Sequence, residues 1–119
     1  MPDQPLRIEK LSGSTAGVRI LKLDGPLTLS SCFELQSQVR ADSQNDLIID
    51  MSGVFYIDSM GIGCLVNGYV SHQNAKRKLS LAAVVDRVQM AMRVTHVDSL
   101  FPMYSNVAEA EKSMAATKG

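Results

Sequence analysis

The sequence predicts an α/β layer fold: a mixed sheet of about five strands with four helices, opening on a hairpin and then alternating helix and strand. Two observations carry this. Strand-like apolar runs and segments of helical periodicity alternate along the chain after the first two strands. The central run Leu47, Ile48, Ile49 and Met51 is almost unbroken in its apolarity, as a strand covered on both faces requires.

The elements follow in order. Leu6, Ile8 and Leu11 alternate with Arg7, Glu9 and Lys10; beyond the turn signal Ser12-Gly13-Ser14 come Val18, Ile20, Leu21 and Leu23, which completes a hairpin. Gly25-Pro26 ends the second strand, and Ser30 or Ser31 can cap a helix that carries Cys32, Leu35 and Val39 on one face and stops near Asp42-Ser43. A third strand covers 47–52 and turns at Ser52-Gly53, after which Val54, Phe55, Tyr56 and Ile57 form a second apolar approach. The next helix places Ile62, Leu65, Val66, Tyr69 and Val70 in one sheet-facing stripe and runs to about Asn74. Behind it, Lys76-Arg77-Lys78 complements the helix dipole and is not read as a nucleic-acid patch. Leu79, Leu81, Ala83 and Val84 give a fourth strand, and Asp86 opens a helix with Val88, Ala91, Met92 and Thr95 at helical spacing. Residues 100–104 form a last extended segment, held to a sheet edge by Pro102. Ser105 or Asn106 caps a final helix through about Ala115, and residues 116–119 read as a frayed tail on an ordered core of 5–115.

Composition bounds the function. The 119 residues fit one domain with one core, and 12 basic against 12 acidic side chains exclude general electrostatic attraction to nucleic acid or an anionic membrane. Apolar runs fall far short of the roughly 20 residues that span a bilayer. The opening MPDQPLRIEK lacks a signal-peptide pattern, so a soluble cytoplasmic protein is expected. Cys32 and Cys64 belong to no CxxC pair, which argues against a disulfide framework or a zinc site. His72 and His96 lack metal-binding spacing and are expected at the surface or at helix ends. Seven methionines and no tryptophan point to packing with flexible apolar side chains. No cofactor is expected.

The residues that carry chemistry lie where the third strand delivers the chain to the second helix. Asp58 or Ser59 can cap that helix, whose first N–H groups lack intrahelical acceptors and carry partial positive charge, so an added anion would be tolerated there. Gly61 and Gly63, without Cβ atoms, leave the backbone near the Ser59 hydroxyl open to close approach by another molecule. Sites in such sheets gather at the carboxyl ends of strands.

Across nearly its whole length the chain resembles the STAS domain of bacterial anti-sigma factor antagonists. LKLDGPLTLSSCFELQSQV is similar to the family's G-x-L-D strand, loop and first helix; LIIDMSGVFYIDSMGIGCLV is similar to its signature with the D-S-x-G-[LI]-G core; LSLAAVVDRVQMAMRVTHVDSLFPMYSNVAEAEKSM resembles its C-terminal half, with the L-F-x-x-Y segment. The resemblance implies partner switching without catalysis by the domain. The unphosphorylated antagonist binds a serine kinase that doubles as an anti-sigma factor; the kinase phosphorylates the serine after the motif aspartate; a PP2C-type phosphatase removes the phosphate. By position the acceptor is Ser59, Asp58 is the motif aspartate, Asp24 ends the second strand near the same surface, and Met60, Gly61, Ile62 and Gly63 complete the partner-binding segment. Met60 departs from the second serine or threonine usual after the acceptor, and Pro26 from the usual small residue in the preceding loop. Those departures keep an alternative in view: a phosphorylation-independent STAS scaffold or transporter-associated subunit. A serine hydrolase is disfavoured because Ser59 lies in no G-x-S-x-G turn and has no histidine assigned beside it, and no nucleotide-binding loop of the G-x-x-x-x-G-K-[ST] or G-x-G-x-x-G kind occurs.

Overall fold

The computed structural model describes residues 5–42 and 44–116. Ser43, at the expected end of the first helix, and the tail residues 117–119 lie outside the described residues. The elements are β1 (Arg7–Ser12), β2 (Val18–Asp24), α1 (Leu29–Ala41), β3 (Asp46–Gly53), α2 (Ser59–Asn74), β4 (Leu79–Ala82), α3 (Asp86–Val94), β5 (Met103–Tyr104) and α4 (Val107–Ala116). They form one five-stranded sheet in the order β1-β2-β3-β4-β5. β1 pairs antiparallel with β2, Arg7 opposite Asp24, and the remaining pairs are parallel, Ile20 beside Ile48, Leu47 beside Leu79 and Leu81 beside Met103. The expected mixed sheet with four helices is the observed one.

Strand order explains the layers. Parallel strands that advance one step at a time through right-handed crossovers put every crossover helix on the same face. Leu21, Leu23, Leu47, Ile49, Met51, Leu79 and Leu81 point to that face and pack with Leu35, Val39, Leu65, Val88 and Met92 from α1, α2 and α3. The alternate strand residues Val18, Ile20, Ile48 and Ala82 point the other way, where Ala110 and Met114 of α4 cover them. Both faces of β3 are therefore dry, which accounts for its unbroken apolar run.

Several local expectations change. α1 is capped by Thr28, not by Ser30 or Ser31; Ser31 sits at the third helical position, where its Oγ accepts from the Thr28 N–H at 2.9 Å. The fourth strand stops at Ala82: Ala83 N–H still donates to the Tyr104 carbonyl at 2.9 Å, but its positive φ of 57° turns the chain out of the strand before Val84. Of the apolar approach to α2, Val54 and Ile57 are buried while Phe55 and Tyr56 are exposed. Of the expected α2 stripe, Ile62 and Leu65 are buried and Val66 and Tyr69 pack against the same core, but Val70 faces solvent, and the buried face also takes in Gly61, Cys64, Gly68 and His72. His72, expected at the surface or a helix end, is near the C-terminus of α2 but fully buried, its Nδ1 at 3.3 Å from the Gly68 carbonyl. It lies on that face because the 61-65-68-72 spacing returns it there each turn. For the last helix Asn106 is the cap, its Oδ1 accepting from the Glu109 N–H at 2.8 Å.

Candidate functional site

At the carboxyl end of the sheet, the loop leaving β2 and the loop leaving β3 are hydrogen-bonded to each other before either becomes a helix. Gly25 N–H donates to the Gly53 carbonyl at 3.0 Å, Leu27 N–H to Tyr56 at 3.0 Å, and Asp58 N–H to Leu27 at 3.2 Å. Gly25 turns the chain with a φ of 124°, a conformation that favours glycine. The result is that α1 and α2 begin side by side with their positive ends at the same place.

Asp58 joins the two starts. Its Oδ1 accepts from the Gly61 N–H at 2.8 Å, which makes Asp58 and not Ser59 the N-cap of α2, and its Oδ2 accepts from the Leu29 N–H at 3.3 Å, at the first residue of α1. One carboxylate thus satisfies N–H groups in two helices. Ser59 is the first residue of α2, exposed, and its hydroxyl forms no hydrogen bond to the other described residues. A phosphate on that oxygen would sit at converging positive helix ends but beside a carboxylate already held by those ends.

The two glycines of the segment part company. Gly61 is buried, and a Cβ there would run into the Leu27 carbonyl oxygen, so its close approach is to its own chain and not to another molecule. Gly63 is exposed, with open space where a Cβ would point. Ile62 is buried in the core below. Of the residues expected to meet a partner, the structure therefore brings Asp58, Ser59, Met60 and Gly63 to one surface and turns Gly61 and Ile62 inward. Asp24 stands at the same end of the sheet, paired with Arg7 at 2.8 Å. It shares a recess of about 310 Å³ with Pro26, Phe55 and Tyr56.

Beyond Met60, the apolar rim of the site was not anticipated from the sequence. Leu29, Phe33, Phe55, Tyr56 and Met60 are all exposed, Phe33 by 76% and Met60 by 48%. Exposed apolar groups concentrated in one region mark interaction surfaces. The signal was available: Leu29 and Phe33 are four apart and lie off the Cys32-Leu35-Val39 face, so they form a second apolar stripe on α1.

Behind the site the two cysteines meet. Cys64 Sγ donates to the Cys32 carbonyl at 3.2 Å, and Cys32 Sγ to the Met60 carbonyl at 3.8 Å. Both thiols are free and buried. Burial, with the Cys32 thiol alongside, pushes the Cys64 thiol from its ordinary 9.0 up to about 12, which keeps it protonated and unreactive. Among the described residues no three His, Cys, Asp or Glu side chains are grouped to hold a metal ion, and no helix is long and apolar enough to cross a membrane.

Comparison with known proteins agrees with this architecture. The family model described as the STAS domain matches residues 13–110. Among solved structures, an anti-sigma-factor antagonist (STAS) domain protein from Planctomyces limnophilus is 25% identical, with a TM-score of 0.78, over 91% of this chain and 97% of that one. The anti-sigma factor antagonist SpoIIAA in its unphosphorylated form is 14% identical with a TM-score of 0.76, over 93% of this chain and 96% of that one. The murine anion transporter Slc26a9 is 20% identical with a TM-score of 0.77, over 94% of this chain but only 22% of the transporter. At those two lower identities the likeness is one of fold.

Proposed function

The chain belongs to the STAS domain family, and on that premise we propose that it is an anti-sigma factor antagonist, a cytoplasmic binding module that is not itself an enzyme. It binds an anti-sigma factor that is also a serine kinase, is switched off by phosphorylation of Ser59, and is restored by a PP2C-type phosphatase. The observation that carries this reading is the placement of Ser59: an exposed hydroxyl on the first residue of α2, with Leu29, Phe33 and Met60 exposed near it. The apolar rim supplies contact area, and the hydroxyl supplies a point at which charge can be added. Asp58, Met60 and Gly63 form the centre of the surface, Asp24 with Phe55 and Tyr56 its flank, and Gly61 and Ile62 hold the centre in place from below.

The physics of the switch lies at the interface. Phosphoserine carries about −1.5 to −2 charges at neutral pH. At a helix N-terminus the free domain would gain roughly 0.3–1 kcal/mol. Buried against a partner beside Asp58, the same dianion would be desolvated and poorly paired, and a penalty of only ~3 kcal/mol weakens binding more than a hundredfold. The test is to incubate the protein with ATP and the candidate serine kinases of its own organism and to map phosphate by mass spectrometry. Phosphate is expected on Ser59, and Ser59→Ala should still bind the kinase while remaining unmodified. Phosphate on Ser30, Ser31 or Ser52 with Ser59 untouched would overturn the assignment. The rival scaffold or transporter-associated role predicts instead co-purification with a membrane transport complex and no dependence on the Ser59 hydroxyl.

A further inference from the structure

We propose that the cavity at the end of the sheet remote from Ser59 binds a small organic anion with an apolar body, of the medium-chain carboxylate class. The cavity exists because the sheet is incomplete there. β5 pairs with β4 only at Leu81 and Ala82, so the first half of β4, Leu79 and Ser80, has no strand beside it on that side. Pro102, just before β5, has no N–H with which to extend the ladder. The last turns of α2 on one face and of α4 on the other overhang this gap and leave a half-open recess of about 300 Å³, at the lower end of the range of small-molecule sites.

Its walls are held in place. Tyr69 stands edge-on to Phe101 with ring centroids 5.4 Å apart, and the Tyr104 hydroxyl is hydrogen-bonded to the Ser113 hydroxyl at 2.7 Å. The Tyr69 and Tyr104 rings, with the edges of Leu79 and Met114, supply its apolar surface, beside the polar Gln73, Ser80 and Ser113. Among the described residues, the charged side chains on its lining are Arg77 and Lys78, and the exposed Arg77 guanidinium is the group that meets an anion. Their backbone is fixed. Lys76 takes the left-handed conformation with φ 60°, Lys76 N–H donates to Gln73 at 3.0 Å, and Arg77 N–H donates to His72 at 2.8 Å, the paired bonds of a Schellman motif. Lys78 N–H is then caught by Asp46 Oδ1 at 2.9 Å. Complementing the helix dipole accounts for the two cations but not for the concave apolar wall beneath them. A carboxylate on a short apolar chain satisfies both, its head on the Arg77 guanidinium and its tail against Leu79 and Met114.

The test is an NMR titration of the full chain with decanoate and, separately, with the uncharged decanol, following backbone amide shifts. Decanoate should give saturable shifts confined to residues 77–81, 103–104 and 113–114, and decanol should bind about tenfold more weakly or worse. Arg77→Gln combined with Lys78→Gln should reduce decanoate affinity by a similar factor and leave decanol binding unchanged. Both side chains are exposed, so the fold should survive; if it did not, the comparison of decanoate with decanol on the unaltered chain decides alone. Absence of saturable shifts, shifts centred on Leu29, Phe33 and Met60, or equal binding of the two probes would overturn the proposal.

Discussion

Asp58 uses its two oxygens on two helices, and this distinguishes it from an ordinary cap. Replacing it by alanine should cost more than the typical single cap loss, about 1–2 kcal/mol, because N–H groups of α1 and α2 are released together. Urea denaturation checks this, and a loss no larger than the roughly 1 kcal/mol of an ordinary cap would mean that the bridge to Leu29 contributes nothing. The glycines beside it predict opposite outcomes for the same substitution. Gly61→Ala drives a methyl into the Leu27 carbonyl and should destabilise by about 1–3 kcal/mol, since backbone and not a flexible side chain is in the way. Gly63→Ala meets open space in a helix interior and should stabilise by up to about 1 kcal/mol through helix propensity alone. If Gly63 lies on the partner surface, that stabilised variant should nevertheless bind the kinase less well, a separation that thermal melting and calorimetry together would reveal.

Within α2, the core and contact roles divide by turn and by face. Leu65 is buried between helix and sheet, and Leu65→Ala should lower stability by about 2–5 kcal/mol. Met60, in the first turn and half out in solvent, should cost little stability when truncated yet weaken partner binding; Phe33→Ala on α1 should behave the same way. A Met60→Ala variant that melted like a core deletion and bound its partner normally would make Met60 a packing residue and redraw the surface. The reversal at Val70 is instructive here. Periodicity alone grouped it with Tyr69, but small residues at Gly61 and Gly68 rotate the buried face toward α1: a Cβ at Gly68 would come within 3.2 Å of Val39. Apolar character marks a stripe poorly where glycines are the residues that let two helices touch.

For the molecule as a whole, the sheet with its crossover helices was legible because β3 is apolar on both faces and because each helix repeats its apolar positions at helical spacing. The placement of Asp58-Ser59 at a helix mouth was legible for the same reason, whereas the proposed acceptor role of Ser59 rests on the resemblance to the family. What escaped depended on contacts between segments far apart in the chain. Thr28 caps α1 in a loop zipped to the one before α2, so the cap moved from the expected serines. Phe55 and Tyr56 lie in the apolar approach to α2 that the sequence shows, yet with the Tyr56 carbonyl bonded to the Leu27 N–H both face outward. Cys32 and Cys64 are 32 residues apart in sequence and adjacent in space only because α1 and α2 start together. That shared start is also why one added phosphate should change recognition without changing the fold. The most direct test is calorimetric titration of the cognate kinase with the unmodified protein and with the protein phosphorylated at Ser59, alongside the thermal midpoint of each. The phosphorylated form should bind more than about a hundredfold more weakly while its midpoint moves by no more than a few degrees; equal affinities, or a loss of binding that accompanies unfolding, would contradict the switch.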